Sequence, residues 1–190
     1  MRAKRIVLLG VAFAAGFLLT KLTKRQDKNI THLIEEAIYK GFAEIQNSKL
    51  ALEKSNSTNI KIFAQRMIDD HIALNQKLTD IARSKGIPTP EIERHLDEVE
   101  PYLASYRNDD SFDECYVDHQ LSVHRDIVQL FRKIGASNDA EINQFAIHAV
   151  EHLGHHLRMA QDLADTFHTN NIPTSSPYQA DFVEEPNYKT

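Results

Sequence analysis

The chain has 190 residues, 42% of them hydrophobic, which suffices for one domain with a sizeable core and terminal segments. The first 25 residues carry six basic and no acidic side chains, so residues 26–190 carry 16 basic against all 27 acidic ones. Because such an acidic body repels a phosphate backbone, we expect no nucleic-acid binding. Cys115 is the only cysteine, which excludes an internal disulfide and a thiolate zinc site.

The amino-terminal segment, residues 1–25, is typical of a signal peptide or a membrane anchor. A basic start precedes an apolar run from Ile6 to Leu19, which extends to Leu22 if the charged end of Lys21 reaches the lipid surface. No convincing small-x-small cleavage site follows the run, which favours an uncleaved anchor. We therefore expect membrane contact through residues 6–22 and a body exported to the periplasm or cell envelope. The alternative is a soluble periplasmic protein after signal cleavage.

Residues 29–85 contain two amphipathic helical patterns. In the first, isoleucines and leucines recur at helical spacing up to the turn NSTN at residues 56–59. Ser57 or Thr58 is placed to cap the second helix, and Gly86 followed by Pro88 ends it.

Two further helical patterns follow a long middle segment, residues 87–110, in which Pro101 interrupts a short helix. The third pattern begins near Phe112 and ends at Gly135, and the fourth begins with Ser137 or Asn138 as its cap. Residues 169–190 lack helical periodicity and contain three of the six prolines, which predicts a disordered tail.

The link lengths predict how these four helices pack. Short links after the first and third helices make each pair antiparallel, whereas a crossover of about 25 residues leaves the second and third helices parallel. We therefore predict an all-α protein, with a ferritin-like four-helix bundle over residues 29–168 and a long middle crossover.

Helical phase sorts the four histidines in HAVEHLGHHLRMAQDL, residues 148–163. At 100° per residue, His156 faces the apolar stripe, His152 lies on its flank, His148 lies farther out and His155 faces solvent.

The same reasoning on the other helices predicts a polar layer at mid-bundle depth. The inward His71 and His156 join the central Tyr116 and Gln120, and the edge residues His124 and Glu44 complete the layer. Asp70 lies on the flank of the stripe that contains His71.

Two interpretations of this layer remain open. In one, His71, His124 and His156 bind one divalent ion (zinc, copper, iron or nickel), with Glu44 or Asp70 as a fourth ligand or orienting group. In the other, the layer is a cofactor-free hydrogen-bond network that fixes helix register in a structural or interaction module of the cell envelope. The partner of such a module would be a second copy of the chain or another envelope protein.

Four segments (EIQNSKLAL, FAQRMIDDHIALNQKL, FDECYVDHQLSVH and HLRMAQDL) resemble a bacterial family of ferritin-like domains of unknown function, often described as membrane or outer-membrane proteins. The resemblance covers residues 36–168. Its strongest elements are Asp70-His71, His156 before Leu157, and the series Asp113, Tyr116, Gln120 and His124. It implies a four-helix bundle behind an export signal or anchor, and no assigned activity.

The pattern of ligands differs from that of di-iron ferritins, which place Glu three residues before His on two helices. Here Ile68, Leu121 and Leu153 occupy those positions before His71, His124 and His156. We also find no nucleophile-elbow sequence. The sequence therefore favours a protein that is not an enzyme, and in particular not a di-iron ferroxidase.

Overall fold

The computed structural model describes the backbone of residues 3–90, 103–104 and 111–169, and side chains within these ranges from residue 29 to residue 166. Four helices account for most of it: α1 (Ala3–Lys54), α2 (Thr58–Ser84), α3 (Phe112–Ile134) and α4 (Ala140–Thr169). No strand occurs in the described ranges. The predicted all-α four-helix bundle is confirmed.

The helix ends follow from local hydrogen bonding. Ser57 caps α2, since its Oγ accepts a hydrogen bond from the amide of Ile60 at 3.4 Å. Gly86, at φ 68°, ends α2 in a Schellman motif, in which the amide of Ile87 donates to the carbonyl of Ala82 at 2.9 Å. Only glycine adopts this left-handed conformation at little cost.

The cap of α4 corrects the prediction of Ser137 or Asn138. Asp139 Oδ1 accepts hydrogen bonds from the amides of Glu141 and Ile142 at 3.0 and 3.1 Å. Asp139 directly precedes the helix, so its carboxylate reaches the unpaired amides of the first turn, whereas Ser137 Oγ accepts from the amide of Asp139.

Two apolar clusters show how the helices run. One, the proximal core, joins residues 34–38 of α1 and the start of α4 to the ends of α2 and α3. The other, the distal core, joins the end of α1 and the last turns of α4 to the starts of α2 and α3. Thus α2 and α3 are parallel, as the long middle segment predicts, and each is antiparallel to α1 and α4.

One described piece of the middle segment packs on the bundle. Leu103 is fully buried in the distal core, and its amide donates a hydrogen bond to Asn47 Oδ1 at 3.2 Å. The short helix predicted between residues 87 and 110 otherwise lies outside the described residues.

The terminal predictions concern side chains that the structure does not describe. The backbone of α1 is helical from Ala3, not only from residue 29, and continues unbroken into the bundle. Within the part of the chain with described side chains, no helix is long and apolar enough to cross a membrane. The anchor at residues 1–25 and the tail at 169–190 lie outside that part and stay predictions.

Candidate metal centre

A layer of buried polar side chains lies between the proximal and distal cores. Its members come from α1, α2, α3 and α4, and each is at most 6% exposed: Glu44, Asn47, Ser48, His71, Asn75, Gln120, His124 and His156. Buried polar groups are costly unless they are paired, so their partners indicate what the layer does.

Three histidines from three helices converge in this layer. The ring centroids of His71, His124 and His156 form a nearly equilateral triangle with sides of 5.5, 5.6 and 5.3 Å. One nitrogen from each ring lies within 4.8 Å of a nitrogen from each of the other two. We call these residues the buried trio; the prediction that they share one level of the bundle agrees with this geometry.

The backbone fixes the protonation of the His124 ring. Its Nδ1 lies 3.0 Å from the carbonyl oxygen of Gln120. A carbonyl oxygen only accepts, so Nδ1 carries the proton and the lone pair of the neutral ring lies on Nε2, which accepts a hydrogen bond from His71 Nε2. This Nε2 lies 3.4 Å from Nε2 of His71.

Asp70 fixes the protonation of the His156 ring in the same way. His156 Nε2 donates to Asp70 Oδ2 at 2.8 Å, which leaves the lone pair on Nδ1. That Nδ1 is buried and has no hydrogen-bond partner within the described part of the chain.

Asp70 is also the link between the buried trio and the bundle surface. Its Oδ2 accepts hydrogen bonds from His152 Nε2 and Arg66 Nε, each at 3.0 Å. Burial by itself raises the pKa of Asp70, but hydrogen bonds from His152 and His156 outweigh it and hold the pKa well below its usual range. Asp70 is therefore a carboxylate at neutral pH.

The three buried rings are neutral at neutral pH. Burial lowers the pKa of His156 to about 3, against the opposing effect of its hydrogen bond to Asp70. Burial, reinforced by the other two imidazoles, also lowers the pKa of His71 well below its usual value. Burial lowers the pKa of His124 although the Glu44 carboxylate favours its charged form. Neutral imidazole is the form that binds a metal ion.

Glu44 belongs to a separate part of the layer. It accepts hydrogen bonds from Gln120 Nε2 at 2.7 Å and His119 Nε2 at 3.2 Å. It is in neither of the two groups of described side chains whose ligand atoms lie within 4.8 Å of one another. The structure thus places Glu44 beside the buried trio but does not bring its carboxylate into the set of ligands.

The remaining candidates have structural positions. Tyr116, fully buried, shares a hydrogen bond with Ser48 at 3.0 Å, and burial raises its phenol pKa. Asp113 lies partly exposed in the first turn of α3. On α4, His152 is partly exposed and His148 exposed, as predicted, while His155 is only partly exposed and so less exposed than predicted.

Two residues with roles in the layer were not among the sequence candidates. Arg66 precedes Asp70 by four residues, a spacing that brings two side chains together on a helix and could have identified the pair. His119, at the edge of its stripe, pairs with the buried Glu44. Its partner is on another helix, so helical phase alone does not reveal the pair.

The buried trio has the donor set and spacing of a metal site. Zinc–imidazole bonds of about 2.0–2.1 Å in a tetrahedron place neighbouring nitrogens about 3.3–3.4 Å apart. The hydrogen-bond distance of 3.4 Å between His71 Nε2 and His124 Nε2 is close to that edge. This cluster of histidines, with Asp70 behind it, could hold a metal ion.

The comparisons with known proteins identify a family and no activity. The sequence model of a family described as "Domain of unknown function (DUF4142)" matches residues 20–163. Neither a curated protein nor a solved structure matches the chain.

Proposed function

The chain belongs to the DUF4142 family of domains of unknown function, and within it we propose that this protein is a helical bundle that binds one divalent transition-metal ion. The ligands are His124 through Nε2, His156 through Nδ1 and His71. One observation carries this proposal: the buried Nδ1 of His156 has a lone pair and no partner among the described residues, while its Nε2 already donates to a carboxylate.

The surroundings of the trio support this assignment. Metal-binding histidines almost always donate their second ring nitrogen to a carboxylate or a backbone carbonyl, which fixes the ring and the free lone pair. Asp70 has this role for His156, and the Gln120 carbonyl has it for His124. Asp70 is therefore an orienting group in this proposal rather than a fourth ligand.

Zinc fits best among the metals that imidazole binds. The one nitrogen separation that the structure gives, 3.4 Å between His71 and His124, is closer to that of a tetrahedral ion than to the separation of about 3.0 Å between adjacent ligands of an octahedral ion at about 2.1 Å. Three protein ligands leave a fourth position for water or a small ligand. Copper, iron and nickel remain the competing ions.

Metal analysis of the untagged full chain in detergent tests the proposal. We expect about one zinc ion per chain, and a loss of affinity of more than about tenfold in His71→Ala, His124→Ala and His156→Ala. Asp70→Asn should weaken binding by about 10–100-fold because it loosens the His156 ring. His148→Ala, an exposed histidine on α4, is the matched control and should bind normally. A wild-type chain without stoichiometric metal would contradict the proposal.

The competing function is a cofactor-free bundle with a structural or interaction role. It is favoured by the internal pairs of the layer, Gln120 with Glu44 and Tyr116 with Ser48, which need no ion. It predicts no stoichiometric metal in the wild type, together with a lower free energy of unfolding in the histidine variants.

We further propose that residues 6–22 hold the protein in a membrane, with the body on the exported side. The basic start and the apolar run from Ile6 to Leu19 support this placement. Alkaline extraction should leave the chain in the membrane. In a Cys115→Ser background, Ser122→Cys should react with a membrane-impermeant maleimide in bacterial spheroplasts. Labelling only after lysis would contradict export, and release by alkali would contradict the anchor.

A further inference from the structure

A second cluster of ligand atoms lies toward the surface from the buried trio. The carboxylate of Asp70 and one ring nitrogen each of His152 and His156 lie within 4.8 Å of one another. The side chains of Asp70 and His152 are each 20% exposed, whereas that of His156 is fully buried. We call these three residues the outer trio; it is open to solvent where the buried trio is closed.

The geometry of the outer trio is that of a chelate. His152 and His156 are four residues apart on α4, the spacing that places two imidazoles on one face of a helix toward one ion. Asp70, from α2, lies 3.0 and 2.8 Å from their Nε2 atoms. Two imidazoles and a carboxylate suit the same ions as the buried trio.

The guanidinium of Arg66 already forms an ion pair with Asp70 of the outer trio. Arg66 Nε lies 3.0 Å from Asp70 Oδ2, the oxygen that both histidines also contact. A positive charge is thus held at this carboxylate by a side chain that is 23% exposed.

His156 belongs to both trios, and its two nitrogens serve different sides. Nε2 faces Asp70 in the outer trio, and Nδ1 is the buried nitrogen that has no partner in the part of the chain that the structure describes. A neutral imidazole has one lone pair at a time, since the other nitrogen carries the proton. A neutral His156 therefore binds a metal on one side or on the other, but not on both.

We propose that Asp70, His152 and His156 form an outer cation site through which a divalent metal ion enters the buried trio. This inference rests on the metal-binding function proposed above. The ion binds His156 Nε2 while the ring proton is on Nδ1. It then moves inward as Nδ1 releases its proton to solvent and Nε2, which faces the partly exposed Asp70, takes up a proton from solvent, so the ring stays neutral and Nδ1 becomes the inner ligand. Arg66 takes back its place at Asp70, and only one ion remains bound.

Cobalt loading of the untagged full chain in detergent tests the entry site, since Co²⁺ reports its ligands by visible absorption. We expect His152→Ala to slow loading by about tenfold or more while the final occupancy of the buried trio stays at one ion. His148→Ala, one turn away on α4, should load at the wild-type rate. Arg66→Gln should load faster, because no guanidinium then competes for Asp70.

A second variant isolates the outer trio. His71→Leu removes an inner ligand, and this chain should still bind one Co²⁺ weakly, with binding lost on the further change His152→Ala. If His152→Ala loads at the wild-type rate, or if His71→Leu binds no Co²⁺, the entry site is wrong although the buried site stands. If the wild type itself binds no metal, the proposed function fails, and the entry site fails with it.

Discussion

Neutral imidazoles inside the bundle tie its stability to pH. Burial keeps the pKa values of His71, His124 and His156 below the value of about 6.5 expected in an unfolded chain, that of His156 at about 3. Below pH 6.5 the unfolded chain therefore binds protons that the folded chain does not. The contribution of these neutral rings to the free energy of unfolding is therefore complete above pH 6.5 and is lost as the pH falls.

For the metal-free protein, the free energy of unfolding should fall by up to about 1.4 kcal/mol per buried histidine between pH 7.5 and 5.5. Asp70, whose pKa is held low, adds to this loss only below about pH 4. Urea unfolding at both pH values, with a chelator present, measures this fall in the free energy of unfolding. His71→Leu should reduce the loss by about a third or more, and His148→Ala should leave it unchanged. A stability that is flat over this range would show that the imidazoles are not buried and neutral.

For single residues, the sequence predicts burial better than it predicts hydrogen-bond partners. Helical phase placed His71 and His156 inside, and it left His124 and Glu44 at an edge although both are fully buried. Phase fixes an angle about one helix, whereas burial of an edge residue depends on how closely the next helix approaches. Hydrogen-bond partners on another helix, such as His119 for Glu44, depend on that same approach.

At the scale of helices, the contact between α1 and α2 depends on Gly41. A Cβ at this position would collide with the side-chain amide of Asn75, which is buried and donates to the carbonyl of Ile38 at 3.2 Å. A glycine inside a helix ordinarily costs about 0.5–1 kcal/mol relative to alanine. Here that cost is offset because only glycine lets the Asn75 amide lie against α1.

Gly41→Ala should therefore lower the free energy of unfolding, by about 1–3 kcal/mol. Gly154→Ala is the matched comparison on α4: its nearest neighbour would be Arg158 Nη1 at 3.9 Å, so the helix preference for alanine should raise stability by about 0.5–1 kcal/mol. Chemical denaturation of both variants measures the difference. Equal stabilisation by the two changes would show that α1 and α2 do not approach closely at Gly41.

Over the whole molecule, the sequence predicts the topology because link lengths and apolar stripes constrain it strongly. Two short links and one long crossover leave few ways to bury four amphipathic faces. The proximal and distal cores, with polar side chains between them, follow from those stripes. The outer trio was not predicted as a site, since phase places Asp70 and His152 on the flanks of two separate helices. Only the packing of α2 against α4 brings them together around His156.

The central claim is that three imidazoles in the middle of the bundle hold one metal ion. Anomalous scattering at the zinc absorption edge, from crystals of the untagged full chain grown with zinc, tests it most directly. The account predicts one peak about 2.0–2.1 Å from a ring nitrogen of each of His71, His124 and His156. A layer without a peak, or zinc bound only to exposed histidines such as His148, would contradict it.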